Sequence, residues 1–200
     1  ALALAVAAAL TFGALWGVDK LPVARGVPSD SAFKAELNAW RSDPMPDLSL
    51  RKYPEMARLS REAAAGNVEA RIVLGWRLVL GANGVAKDIP AAVQLFEQAA
   101  VMRPQDPLVR VGRVVALMNT DAMPQALREG GGELARIELA EAGYWLARLN
   151  LAPQSPLFDL EGGIRRLRNA ADRGHASAAF ALGKRYLSGD GVPRDASRAK

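Results

Sequence analysis

Few side chains in this sequence can do chemistry, and their spacing gives them little help. His175 is the single histidine, and cysteine is absent. Metal centres and nucleophile–base pairs draw on His, Cys and carboxylates in clusters. A lone His directly after Gly174 therefore reads as a polar turn residue. Gly130, Gly131 and Gly132 have no Gly-Lys-Ser/Thr after them, so they suggest a helix break and not a phosphate cradle. Asp190 and Asp195 sit in a loop too short, and too poor in oxygen side chains, for calcium. Arg165, Arg166 and Arg168 make a basic helix face without the interleaved aromatic residues on which nucleic-acid bases stack. The carboxylates are scattered singly. The sequence thus points to no catalytic residue, no cofactor, no metal and no nucleic acid. What remains to be read is the chain's surface.

The composition says how such a surface is built. Half of the 200 residues are apolar, but only 6% are aromatic and alanine is abundant. Small apolar side chains suit thin layers of helix on helix better than one thick core. The formal charge of +5 comes from residues 161–200, where nine bases face four acids. A basic end favours acidic partners or is simply solvated surface.

Residues 1–18 carry no charge. As a helix they would span roughly 27 Å, close to the roughly 30 Å of a bilayer's hydrocarbon core. Trp16 stands near the end of the run, where interfacial aromatic residues gather, and Asp19 and Lys20 close it. A signal peptide would need small residues at −3 and −1 of a cleavage site, and Pro22 spoils the site at Ala24. The expectation is a transmembrane helix or uncleaved signal-anchor over 1–18, with the rest of the chain periplasmic. Secretion or periplasmic release after cleavage is the alternative. Residues 19–52 hold Pro22, Pro28, Pro44 and Pro46 and read as a linker. One short helix is expected in it, about Ser31–Ser42, with Phe33, Leu37 and Trp40 on one face and Asp30 or Ser31 as cap.

From residue 53 onward the sequence repeats. Gly66, Ala70, Leu74, Gly75, Gly84 and Val85 find counterparts in Gly174, Ala178, Leu182, Gly183, Gly191 and Val192. The early positions are offset by 108 residues, three periods of 36. A third copy carries Ala142, Leu146 and Ala147 and closes on Ala170 and Ala171. A degenerate copy, about 102–137, has Val111 and Gly112 in place of Leu74 and Gly75. Ala70, Leu74 and Leu78 follow at spacing four, one face of a helix. Gly81, Gly84, Gly189 and Gly191 supply positive φ where the chain turns back. Asp88 and Asp195 are placed to cap the next helix.

These residues resemble the Sel1-like repeat family: a Gly, a Leu-Gly pair, an aromatic, a Gly-x-Gly-Val loop, an Asp and an Ala-Ala pair. The copy from Gly174 to Asp195 is the fullest. The resemblance implies an all-α chain, a right-handed α-α superhelix of TPR-like helix pairs over 53–200. It implies a non-enzymatic scaffold that binds a protein or peptide. Because the Asp195 helix stops after about one turn, the chain also reads as part of a longer protein. These repeats would then be the accessory region of a larger envelope protein or enzyme. In TPR-like hairpins the first helix lines the concave side. Two before the Leu and one after the Gly give an inward stripe of Ile72, Trp76, Arg113, Tyr144, Arg148, Phe180 and Lys184. The stripe either grips an acidic peptide, with Arg making forked bonds to carboxylates, or packs between helices while its bases stay solvated.

Overall fold

The computed structural model describes residues 31–120, 132 and 134–200. The expected transmembrane span and most of the triple glycine lie outside these residues. Among the described residues there is no strand, and no helix is long and apolar enough to cross a membrane.

The chain opens with α1, Ser31–Ser42, whose buried face is Phe33, Leu37 and Trp40. A short 3-10 turn, Leu48–Leu50, leads to α2, Met56–Ala64. The first complete hairpin pairs α3, Val68–Leu80, with α4, Ile89–Met102. Next come α5, Pro107–Met118, then a second hairpin of α6, Ala140–Leu151, and α7, Leu160–Asp172. Last is α8, Ala176–Ser188. The first helices of the four repeats thus begin at 68, 107, 140 and 176.

Local chemistry sets these ends. Asn67, Asp88, Asp106 and Asp159 each accept a backbone N–H from the first turn they precede, satisfying donors that have no partner within the helix. Gly81 and Gly189 close α3 and α8 in the left-handed region, at φ 70° and 80°, where a β-carbon would be strained. Asp195 accepts the amides of Ser197 and Arg198 as expected, but residues 196–199 form a turn and not a helix.

Most helices pack on a sequence neighbour: α2 on α3, α3 on α4, α4 on α5, α6 on α7 and α7 on α8. In addition α3 reaches α5, its counterpart one repeat on. Small residues make this spacing possible. Gly75 of α3 and Gly112 of α5 both face the Phe96 ring of α4. In the later hairpin Ala147 and Leu167 share a buried cluster at the corresponding positions. The pair members Leu74 and Leu146 are buried, and Leu182 is half-buried.

Residues 31–52 depart from the linker expectation. The helix has the expected bounds, but it is not a tether in solvent. Phe33, Leu37, Trp40, Leu48 and Tyr53 belong to the main core together with the helices of the first two repeats. The physical reason is the amphipathic face itself: four large apolar side chains and a tyrosine gain more by burial than the chain loses by being ordered.

Candidate functional site

The stripe of seven residues does not form one surface. Ile72 and Trp76 are fully buried. Trp76 meets Phe96 edge-on at 5.7 Å and donates its Nε1–H to the Leu108 carbonyl at 3.0 Å. For these two positions the packing alternative holds, because α1 and the 3-10 turn also lie on α3 and complete its burial. Arg113 pairs with Glu97 of α4 at 2.8 Å, half-exposed. Arg148 places its guanidinium 4.6 Å over the Trp145 ring and 6.0 Å from that of Tyr144.

Tyr144, Phe180 and Lys184 do come together. With Asp47, Leu50 and Ser177 they line an open cleft of about 450 Å³. Phe180 is 73% exposed, Leu50 56%, and the Lys184 ammonium stands 5.9 Å over the Phe180 ring. Two walls of the cleft, Asp47 and Leu50, come from the segment expected as a linker.

That segment is held by one register of the repeat. The residue five before the Leu-Gly pair is Glu69 in α3, Asp106 before α5, Glu141 in α6 and Ser177 in α8. All four bind residues 41–48. Arg41 donates to Glu69 at 3.0 Å and also pairs closely with Asp106. The Leu48 amide donates to Glu141 Oε2 at 3.0 Å. Asp47 Oδ2 accepts the Ser177 amide at 2.8 Å and its hydroxyl at 2.7 Å. Arg103 joins the first pair, close to Glu69 and 3.8 Å from Asp106, so two cations balance two acids there.

His175 sits at the far end of this ladder and is fully buried. It is the N-cap of α8: Nδ1 accepts the Ala178 amide at 3.3 Å. With Nδ1 accepting, Nε2–H donates to Glu141 Oε2 at 3.1 Å. Asp47 Oδ2 lies 3.5 Å from Nδ1, and the Tyr144 ring stacks on the imidazole at 4.6 Å. The residue expected as a polar turn residue is instead a fully buried N-cap. The cap is real, but its partners are carboxylates brought from residues 47 and 141, which no local spacing reveals. Asp47, Glu141 and His175 offer three ligand-type atoms within 4.8 Å. Their oxygens are already met by donors from Leu48, Ser49, Trp145 and Ser177. Burial alone would raise the Asp47 carboxyl, but hydrogen bonds from Ser49 and Ser177, with His175 nearby, outweigh it and hold the group below its ordinary value.

Sequence reasoning missed this register although a signal was present. Glu69, Asp106, Glu141 and Ser177 are polar residues at one repeated position, at or just before the start of each first helix. Aligning the copies on the Leu-Gly pair exposes them.

An array of helix hairpins at a regular period, with small residues at the crossings, defines a helical repeat protein. The Sel1 repeat family model matches residues 68–100 and 176–200, the first hairpin and the last repeat. Those two stretches are Sel1 repeats. Among solved structures, a Sel1 repeat protein from Oxalobacter formigenes is similar at 23% identity, over 72% of this chain and 83% of that one, with a TM-score of 0.28. No curated protein matches.

Proposed function

We propose that this chain is a protein-interaction scaffold whose partner-binding surface is the cleft between α6, α8 and the docked segment. The observation that carries this reading is the exposed apolar and basic lining of that cleft. Phe180 and Leu50 face solvent at its rim beside Lys184. An exposed aromatic next to a cation is the kind of anchor that interface cores use. Lys184 favours an acidic protein or peptide. Arg148 lies beside Tyr144 and can extend the basic rim. Tethering to a membrane through residues 1–18, with the repeats on the periplasmic side, completes the proposal and rests on the uncharged N-terminal run alone.

The test is capture of partners from solubilised membranes by the intact protein, followed by mass spectrometry. Phe180→Ala and Lys184→Glu change exposed groups, so folding should survive while capture of the specific partner falls by about tenfold or more. Unchanged capture by the double variant would reject the cleft. For the tether, the full-length protein should stay in the membrane fraction after an alkaline wash. Its release would reject that part.

A further inference from the structure

We propose that residues 41–48 are a resident ligand of the groove, displaceable by a partner peptide that carries an arginine six residues before an aspartate followed by an aliphatic residue. This rests on the groove reading above and adds the chemistry of what the groove recognises.

The contacts that hold the segment are those a bound peptide would make. A side-chain cation meets Glu69 and Asp106, a backbone N–H meets Glu141, and a side-chain carboxylate meets the Ser177 amide and hydroxyl at the start of α8. Leu48 fills an apolar site and is 2% exposed. The receptor groups all stand at one register, three acceptors followed by a donor, so successive repeats present a polar group one helix further along. After the end of α1 only residues 43–47 are non-helical, a stretch that reaches up to about 17 Å, and packed helices lie about 8–10 Å apart. Arg41 and Asp47 are therefore well spaced to bridge from the first repeats to the last. Pro44 and Pro46 keep the intervening chain out of a helix. The carboxylate also meets the positive end of the α8 dipole.

Two further features favour exchange over permanent closure. The apolar face of α1 is buried, whereas Met45 and Leu50 in the following stretch are 38% and 56% exposed. The stretch can therefore peel away together with the end of α1 that carries Arg41, while Phe33 and Leu37 stay in the core. Asp47 and Leu50 also form a wall of the open cleft, so a partner seated on Phe180 and Lys184 already touches the segment it must replace. The tethered occupant competes at an effective concentration in the millimolar range. A partner anchored in the cleft competes on similar terms.

The experiment uses the full chain and a labelled peptide copying residues 40–51. Saturable binding is expected, weakened about tenfold or more when the peptide carries Asp47→Ala. The Asp47→Ala protein, checked for fold by circular dichroism and melting, should bind the unaltered peptide at least about tenfold tighter, since its own occupant is loosened. In the native protein, saturating peptide should speed hydrogen exchange at the Leu48 and Ser49 amides and leave α3 unchanged. Binding that leaves those amides protected, or no binding to the folded variant, would overturn the proposal. If the peptide fails while capture still depends on Phe180 and Lys184, only the resident-ligand inference falls. If the peptide exchanges while capture ignores those residues, the cleft falls instead.

Discussion

Asp47 and His175 show how much a buried polar cluster demands of its neighbours. Both are almost wholly enclosed: Asp47 is satisfied by Ser49 and Ser177, and His175 by the Ala178 amide and Glu141. Removing one member leaves the rest buried with too few partners. His175→Ala should therefore cost about 3 kcal/mol in urea unfolding, within the range for breaking such groups. A loss under about 1 kcal/mol would mean the cluster is hydrated and replaceable. Asp47 adds a pH dependence of definite sign. Its folded carboxyl titrates below its unfolded value of about 3.9. The stability it contributes is present in full above that value and fades as pH falls toward the lowered one. Asp47→Asn should lower stability at neutral pH and flatten the acid limb of the stability–pH curve. An acid limb as steep as the native one would show that other carboxylates set it.

The helices carry a different lesson, in which the same residue type has opposite effects by position. Gly112 and Gly75 lie against the Phe96 ring. A β-carbon on Gly75 would stand 2.9 Å from it, and one on Gly112 nearer still. Gly112→Ala should destabilise by about 1–3 kcal/mol through overpacking. Gly143 lies within α6, and a β-carbon there meets nothing within 4 Å. Gly143→Ala should stabilise by up to about 1 kcal/mol, since alanine loses less backbone freedom in a helix. Thermal melts of the two variants should move in opposite directions. A parallel shift would contradict the packing described.

Across the whole molecule, the docked segment changes how the array holds together. In a simple repeat stack each unit touches only its neighbours, and stability is a sum of local terms. Here the Tyr53 amide binds Asn83 beside α3, the Leu48 amide binds Glu141 of α6, and Asp47 binds Ser177 of α8. Distant repeats are thereby coupled. Native-state hydrogen exchange should show it: a double variant, Asp47→Ala with Leu48→Ala, should speed exchange in α8 by about tenfold or more while α4 keeps most of its protection. Equal acceleration in both helices would mean that the segment stabilises the array as a whole and couples nothing in particular.

The sequence alone determined the period, the first helices of the clear repeats and the Asp88 cap, while the helix expected after Asp195 is a turn. Asp88 before Pro90, Gly81 after Leu80 and the spacing of Ala70, Leu74 and Leu78 act within a few residues, where local geometry has few solutions. The bounds of α1 and the positive φ of the loop glycines were legible for the same reason. Which polar groups meet was not legible. Position within a helix says which face a residue occupies, but not whether another part of the chain comes to cover that face. Ile72 and Trp76 were placed on a surface that the segment from Phe33 to Leu48 helps to bury. His175 acquired its partners from 128 and 34 residues away. Those choices were made only when the chain closed on itself, because the free energy that brings Asp47 to Ser177 comes from burying Phe33, Leu37, Trp40 and Leu48, and not from any spacing around Asp47 itself.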